Sequence, residues 1–139
     1  MRAVSALIVL VASASVPYAP AHATSFDGNW SVTQECEPAP GGARGFKWLY
    51  DAKVKDGVLV GQYGTKDQPS SQTLTGRVQA DGTAALMASG LNGKSEFTAG
   101  FAQPGEKFSF PVSARFEATR GTGLRTKGRT CRFTFVKIS

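Results

Sequence analysis

The 139-residue sequence predicts an all-β fold: about eight antiparallel strands, in an up-and-down barrel closed by one disulfide. Three observations predict it. From Ser25 onward apolar residues recur with period two rather than 3.6, the spacing of strands with one buried face. Asp56-Gly57, Asp81-Gly82 and Asn92-Gly93 supply the positive φ angles of tight turns between those runs. The two cysteines, Cys36 and Cys131, lie in the first and last strands, where a bond between them would clasp the two ends of a meander. A β-sandwich clasped in the same way is the alternative.

Met1 and Arg2 precede the apolar run Ala3 to Val16, Pro17 ends it, and Ala21-His22-Ala23 has the small-x-small form of a cleavage site. This reads as a secretory signal over residues 1–23, ahead of a single domain over 24–139. The run falls short of the roughly 20 residues a membrane-spanning helix needs. An uncleaved anchor is the alternative. A periplasmic or secreted location would oxidise Cys36 and Cys131, against the alternative of two buried thiols.

The opening strand covers Phe26 to Cys36. In the second, Phe46, Trp48, Tyr50, Ala52 and Val54 share one face, and only Leu49 breaks the alternation on the other. Val58 to Tyr63 returns after Asp56-Gly57. Leu74, Gly76 and Val78 face in on the next strand, and Thr83 to Ala88 follows Asp81-Gly82. Phe97, Ala99 and Phe101 line one face of a further strand, which Gln103-Pro104-Gly105 ends. Phe108 to Ala118 continues the pattern, with Pro111 marking an edge, a bulge or a later start because it cannot donate to a ladder. The last strand is Arg129 to Ile138. Pro38 to Gly45 and Gly64 to Gln72 read as longer loops.

In an eight-stranded meander the first and last strands are antiparallel. If Cys36 faces Cys131, Gln34 lies opposite Phe133, Val32 opposite Phe135, and Trp30 opposite Lys137 as an indole beneath a cation.

Gly28-Asn29-Trp30 resembles the Gly-x-Trp opening of the calycins: lipocalins, avidins and a group of bacterial metalloprotease inhibitors. The resemblance implies that Trp30 plugs one barrel end beneath a basic residue of the last strand. Lys137 takes that place where the family usually has arginine. The longer frame, Phe26 to Trp30 with Cys36 six residues on and Gly121-x-Gly ahead of Cys131-Arg132-Phe133, is similar to small secreted bacterial domains of no assigned function. It implies a fold and a compartment and transfers no catalytic or ligand residue.

Charge is uneven. Arg115, Arg120, Arg125, Lys127, Arg129, Arg132 and Lys137 fall in the last 25 positions against a single acid, Glu117. Arg120, Arg125, Lys127 and Arg129 flank one Gly-rich hairpin, where guanidinium forks and backbone N–H groups could meet carboxylate or phosphate. They are the candidate ligand-binding residues, against the plainer reading of a solvated hairpin guarding a sheet edge. The expected partner is an anionic small molecule, an envelope polymer or an acidic protein surface. Nucleic acid is disfavoured, because the aromatics alternate as core residues do. Trp30, Trp48, Tyr50, Phe97, Phe101, Phe116, Phe133 and Phe135 would point inward, enough rings to favour a filled interior over a ligand cavity.

Catalysis finds little support. The single histidine, His22, falls in the expected leader, and neither Ser-x-x-Lys nor Gly-x-Ser-x-Gly occurs. Glu35 and Glu37 belong on an outward face, and the aspartates lack calcium-loop spacing. The sequence therefore predicts a monomeric, non-enzymatic binding module without metal or cofactor. Inhibition of a secreted protease or other hydrolase is the alternative.

Overall fold

A computed structural model describes residues 9–15 and 25–139. The motif Ala21-His22-Ala23 and most of the expected leader lie outside the described residues, and 9–15 are exposed chain without secondary structure. Eight strands follow in chain order: β1 (Gly28–Cys36), β2 (Phe46–Lys55), β3 (Val58–Tyr63), β4 (Ser71–Val78), β5 (Thr83–Leu91), β6 (Lys107–Phe116), β7 (Arg120–Arg125) and β8 (Cys131–Lys137). Each pairs antiparallel with the next, and β8 returns to β1, so the sheet is a closed barrel rather than a sandwich. The register across the closure is the one the cysteines imply: Cys36 opposite Cys131 and bonded to it, Gln34 opposite Phe133, Val32 opposite Phe135, Trp30 opposite Lys137.

The membership of the eight strands differs from expectation at two places. Phe97, Ala99 and Phe101 form no strand. Leu91 opposite Lys107 ends the β5–β6 ladder, Asn92 N donates to Glu106 O at 2.8 Å, and beyond them the chain has no strand beside it. Its N–H groups turn to local carbonyls instead, Phe97 N to Lys94 O at 3.0 Å and Phe101 N to Thr98 O at 2.8 Å. The result is two short 3-10 turns, Ser95–Phe97 and Ala99–Phe101. Phe101 is half exposed outside the barrel, and Phe97 sits at its mouth.

Conversely, Arg120–Arg125, the first half of the expected hairpin, is a full strand paired with both β6 and β8. Gly121 and Gly123 are what make it fit. A Cβ on Gly121 would stand 2.9 Å from Phe116 Cδ1, and one on Gly123 would stand 3.2–3.3 Å from Phe133, Val112 and Phe135. The missing side chains leave room for three rings.

Those rings fill one end and the middle of the barrel. Trp30 is fully buried, edge-on to Phe116 at 5.2 Å, and its Nε1 donates to Phe26 O at 2.9 Å. Lys137 Nζ lies 6.0 Å from the indole centroid. Gly28 has φ +141°, and a Cβ there would meet the Ser139 carbonyl oxygen and stand 2.9 Å from Lys137 Cε, so glycine lets the last strand cross the plug. Asp27 holds the β2–β3 hairpin onto this end by accepting from Asp56 N at 2.9 Å and Gly57 N at 3.0 Å. Above Trp30, Val32, Leu59, Leu74, Phe133 and Phe135 leave no gap to solvent. The opposite end is hollow.

Candidate functional site

The hollow end holds an open cavity of about 410 Å³. Its floor is polar. Gln34 on β1 and Gln72 on β4 keep the inward phase of their strands, and both are about 1% exposed. Gln72 Nε2 donates to Gln34 Oε1 at 2.8 Å and to Tyr50 Oη at 3.2 Å, while Tyr50 Oη donates to Gln34 Oε1 at 3.1 Å. Burial pushes the Tyr50 phenol far above its ordinary range, outweighing the hydrogen bond from Gln72.

Two walls are aromatic. β2 and β6 stand four strands apart in a closed ring of eight and therefore face one another. β2 contributes Phe46 and Trp48, and β6 contributes Phe108 and Phe110. Trp48 stacks on Tyr63 with centroids 4.0 Å apart and planes within 9°, which fixes its ring. β6 pairs with β7 only from Ser113 to Phe116, so Pro111 lies where the β7 ladder is absent and its missing donor leaves no acceptor on β7 unpaired.

Arg125 closes that side. It is the last residue of β7, its Nε donates to Lys127 O at 2.7 Å, and its Cζ lies 3.6 Å above the Phe110 ring. Burial, with a smaller contribution from neighbouring Arg129, pushes its guanidinium down to about 10. Arg129 is 4% exposed and serves three backbone carbonyls: Glu37 O, from Nε at 3.2 Å and Nη2 at 2.8 Å; Arg44 O at 2.8 Å; and Phe97 O at 2.7 Å. Burial lowers its guanidinium too. The ion pairs among the described residues are Arg44–Glu96, Lys47–Glu35 and Arg132–Glu37, so neither cavity guanidinium is neutralised by a carboxylate.

The four basic residues that the sequence groups in one hairpin are thus dispersed. Arg120 is exposed at the plugged end of β7, opposite Val136, and Lys127 is exposed in the turn outside the cavity. Arg125 and Arg129 line the cavity, and Arg129 is pinned in the wall rather than displayed on a loop. Glu35 and Glu37 lie outside the barrel in exposed ion pairs. The interior is filled around Trp30 and hollow around Gln34. Gln72, read as the end of a loop, belongs to a strand beginning at Ser71. The signal was present. Gln34 falls in phase with Trp30, Val32 and Cys36, and Gln72 with Leu74, Gly76 and Val78, each a polar residue at a core position.

Fold and site together define a small eight-stranded antiparallel barrel, compatible with a calycin-like fold, plugged at one end and open at the other. Compared with protein-family models, curated proteins and solved structures, the chain matches none. Among the described residues, no helix is long and apolar enough to cross a membrane.

Proposed function

We propose that the protein is a non-enzymatic, secreted or periplasmic binding module for a small anionic ligand, held in the open end of the barrel with Arg125 as the anion contact. One observation carries this reading: two guanidiniums face an aromatic cavity with no carboxylate in its lining. Arg125 is half-buried without a counter-charge, and a ligand anion would supply one. The recessed shape favours a small molecule over an envelope polymer or an acidic protein surface, either of which would engage exposed charge. The bonded cysteines support an oxidising compartment.

The test is calorimetric titration with anilinonaphthalene sulfonate, an apolar anion. One site per chain is expected, weakened about tenfold or more by Arg125→Gln, the loss of one charge-assisted hydrogen bond. Equal binding by the variant would remove Arg125 from the site. The competing reading, inhibition of a secreted protease or other hydrolase, rests on the calycin-like opening at Gly28-Asn29-Trp30. It expects a stoichiometric protein complex that Arg125→Gln leaves intact.

A further inference from the structure

We infer that the cavity takes a flat aromatic carboxylate bearing a hydroxyl at the end away from its acid, an assignment that rests on reading the open end as an anion site. The floor decides against an alkyl chain. Gln34, Gln72 and Tyr50 cross the barrel from β1, β4 and β2, and Leu59, Leu74 and Phe133 beneath them are at most 1% exposed. No apolar tunnel continues below, so a fatty chain would press its methyl end against the Gln34 and Gln72 amides, which costs free energy without a hydrogen bond in return.

The same floor holds two long contacts that a ligand can replace. Gln72 Oε1 accepts from Gln34 Nε2 at 3.4 Å, and the other contact of that amide nitrogen is Cys36 Sγ at 3.6 Å. Both lie at the long end of useful geometry. A hydroxyl, donor and acceptor at once, can donate to the second lone pair of Gln72 Oε1 and accept from Gln34 Nε2 in place of its long contacts.

The walls favour a rigid body. Phe46 and Trp48 face Phe108 and Phe110, the latter pair with centroids 5.6 Å apart and planes within 14°. Rings have few torsions to freeze, so such a slot is pre-formed, and a flat ligand enters it with less ordering cost than a flexible chain. Arg125, lying over Phe110 on one side of this slot, meets the carboxylate.

The experiment titrates the full chain with four probes: naphthoate, the hydroxynaphthoate with its hydroxyl on the far ring, the corresponding methyl ether, and dodecanoate. Hydroxynaphthoate is expected to bind about tenfold more tightly than either naphthoate or the ether, the worth of one satisfied hydrogen bond, and more tightly than dodecanoate. Gln72→Leu is expected to erase the hydroxyl preference, bringing hydroxynaphthoate and naphthoate to within about threefold of one another. The ether makes the same comparison on the unaltered protein, so a poorly folding variant does not remove the test. Equal affinity for naphthoate and hydroxynaphthoate would overturn the floor contact. Dodecanoate binding as tightly as hydroxynaphthoate, with Arg125→Gln weakening both, would overturn the aromatic class while the anion site stands. Failure of all four probes and of anilinonaphthalene sulfonate would bring down both readings.

Discussion

Arg129 shows how a residue chosen for its charge can serve the backbone. Its guanidinium ties the β1–β2 loop, through Glu37 O and Arg44 O, to the 92–106 loop, through Phe97 O, so one side chain fixes the rim of the open end. Arg129→Met should therefore cost about 3 kcal/mol, because several buried carbonyls lose a charged donor at once. Urea unfolding measures it, and a cost below about 1 kcal/mol would mean that water replaces the guanidinium. Arg129→Lys should fall between, since an ammonium lacks the planar fork. Tyr50 carries a pH signature. Its phenol is held protonated in the fold well above the ordinary value of about 10, so as pH rises through that value the unfolded chain releases a proton that the fold retains. The folded state therefore loses stability on the alkaline side, by about 1 kcal/mol between pH 8 and pH 11. Tyr50→Phe should flatten that dependence. It should also leave the phenolate absorbance of the folded protein unchanged up to its unfolding pH, because Tyr50 does not contribute to it.

β7 and the 92–106 loop are the elements at which period-two reading failed, in opposite directions. Phe97, Ala99 and Phe101 alternate, but alternation describes which face a side chain would occupy and says nothing about whether a neighbouring strand exists to accept the backbone. The β5–β6 ladder ends at Leu91 and Lys107 before it reaches them, and they coil in two 3-10 turns instead. β7 carries glycine at its inward positions, so it has no apolar stripe to detect, and its pattern is written on its neighbours as the rings of Phe116, Phe133 and Phe135. The site was obscured for a related reason. Proximity in sequence placed Arg120 beside Arg125, whereas a strand of six residues carries them to opposite ends of the barrel. Gly123→Val tests the complementarity. Its added methyl groups have no space against Phe133, Val112 and Phe135, and the change should cost about 2 kcal/mol of overpacking, read from the urea midpoint. Thr122→Val, on the outward face of the same strand, should stay within about 0.5 kcal/mol of the parent.

For the whole molecule, closure was legible because two cysteines fix a register and a register fixes every facing pair. Trp30 opposite Lys137 follows from Cys36 opposite Cys131 with no further information, whereas the plugged end was an expectation from the Gly28-Asn29-Trp30 resemblance. What the bond could not reveal is where the core stops, since filling depends on ring volumes summed over all eight strands. The bond spans 95 positions, so it restricts most of the described chain when unfolded. On the chain-entropy account a loop of that size contributes about 4 to 5 kcal/mol. Replacing both cysteines by serine should lower Tm by roughly 15 °C or more in a domain of this length. The β1–β8 ladder still holds by its backbone hydrogen bonds, so the variant should fold at low temperature and keep its far-ultraviolet strand spectrum. The open end should suffer beyond stability. Cys36 and Cys131 are the rung of that ladder nearest the cavity, one residue from Glu37, whose carbonyl Arg129 holds. Probe affinity measured well below the variant's Tm should therefore fall. Unchanged affinity in a destabilised variant would separate the roles, leaving the bond to stabilise the barrel and Arg129 alone to shape the rim.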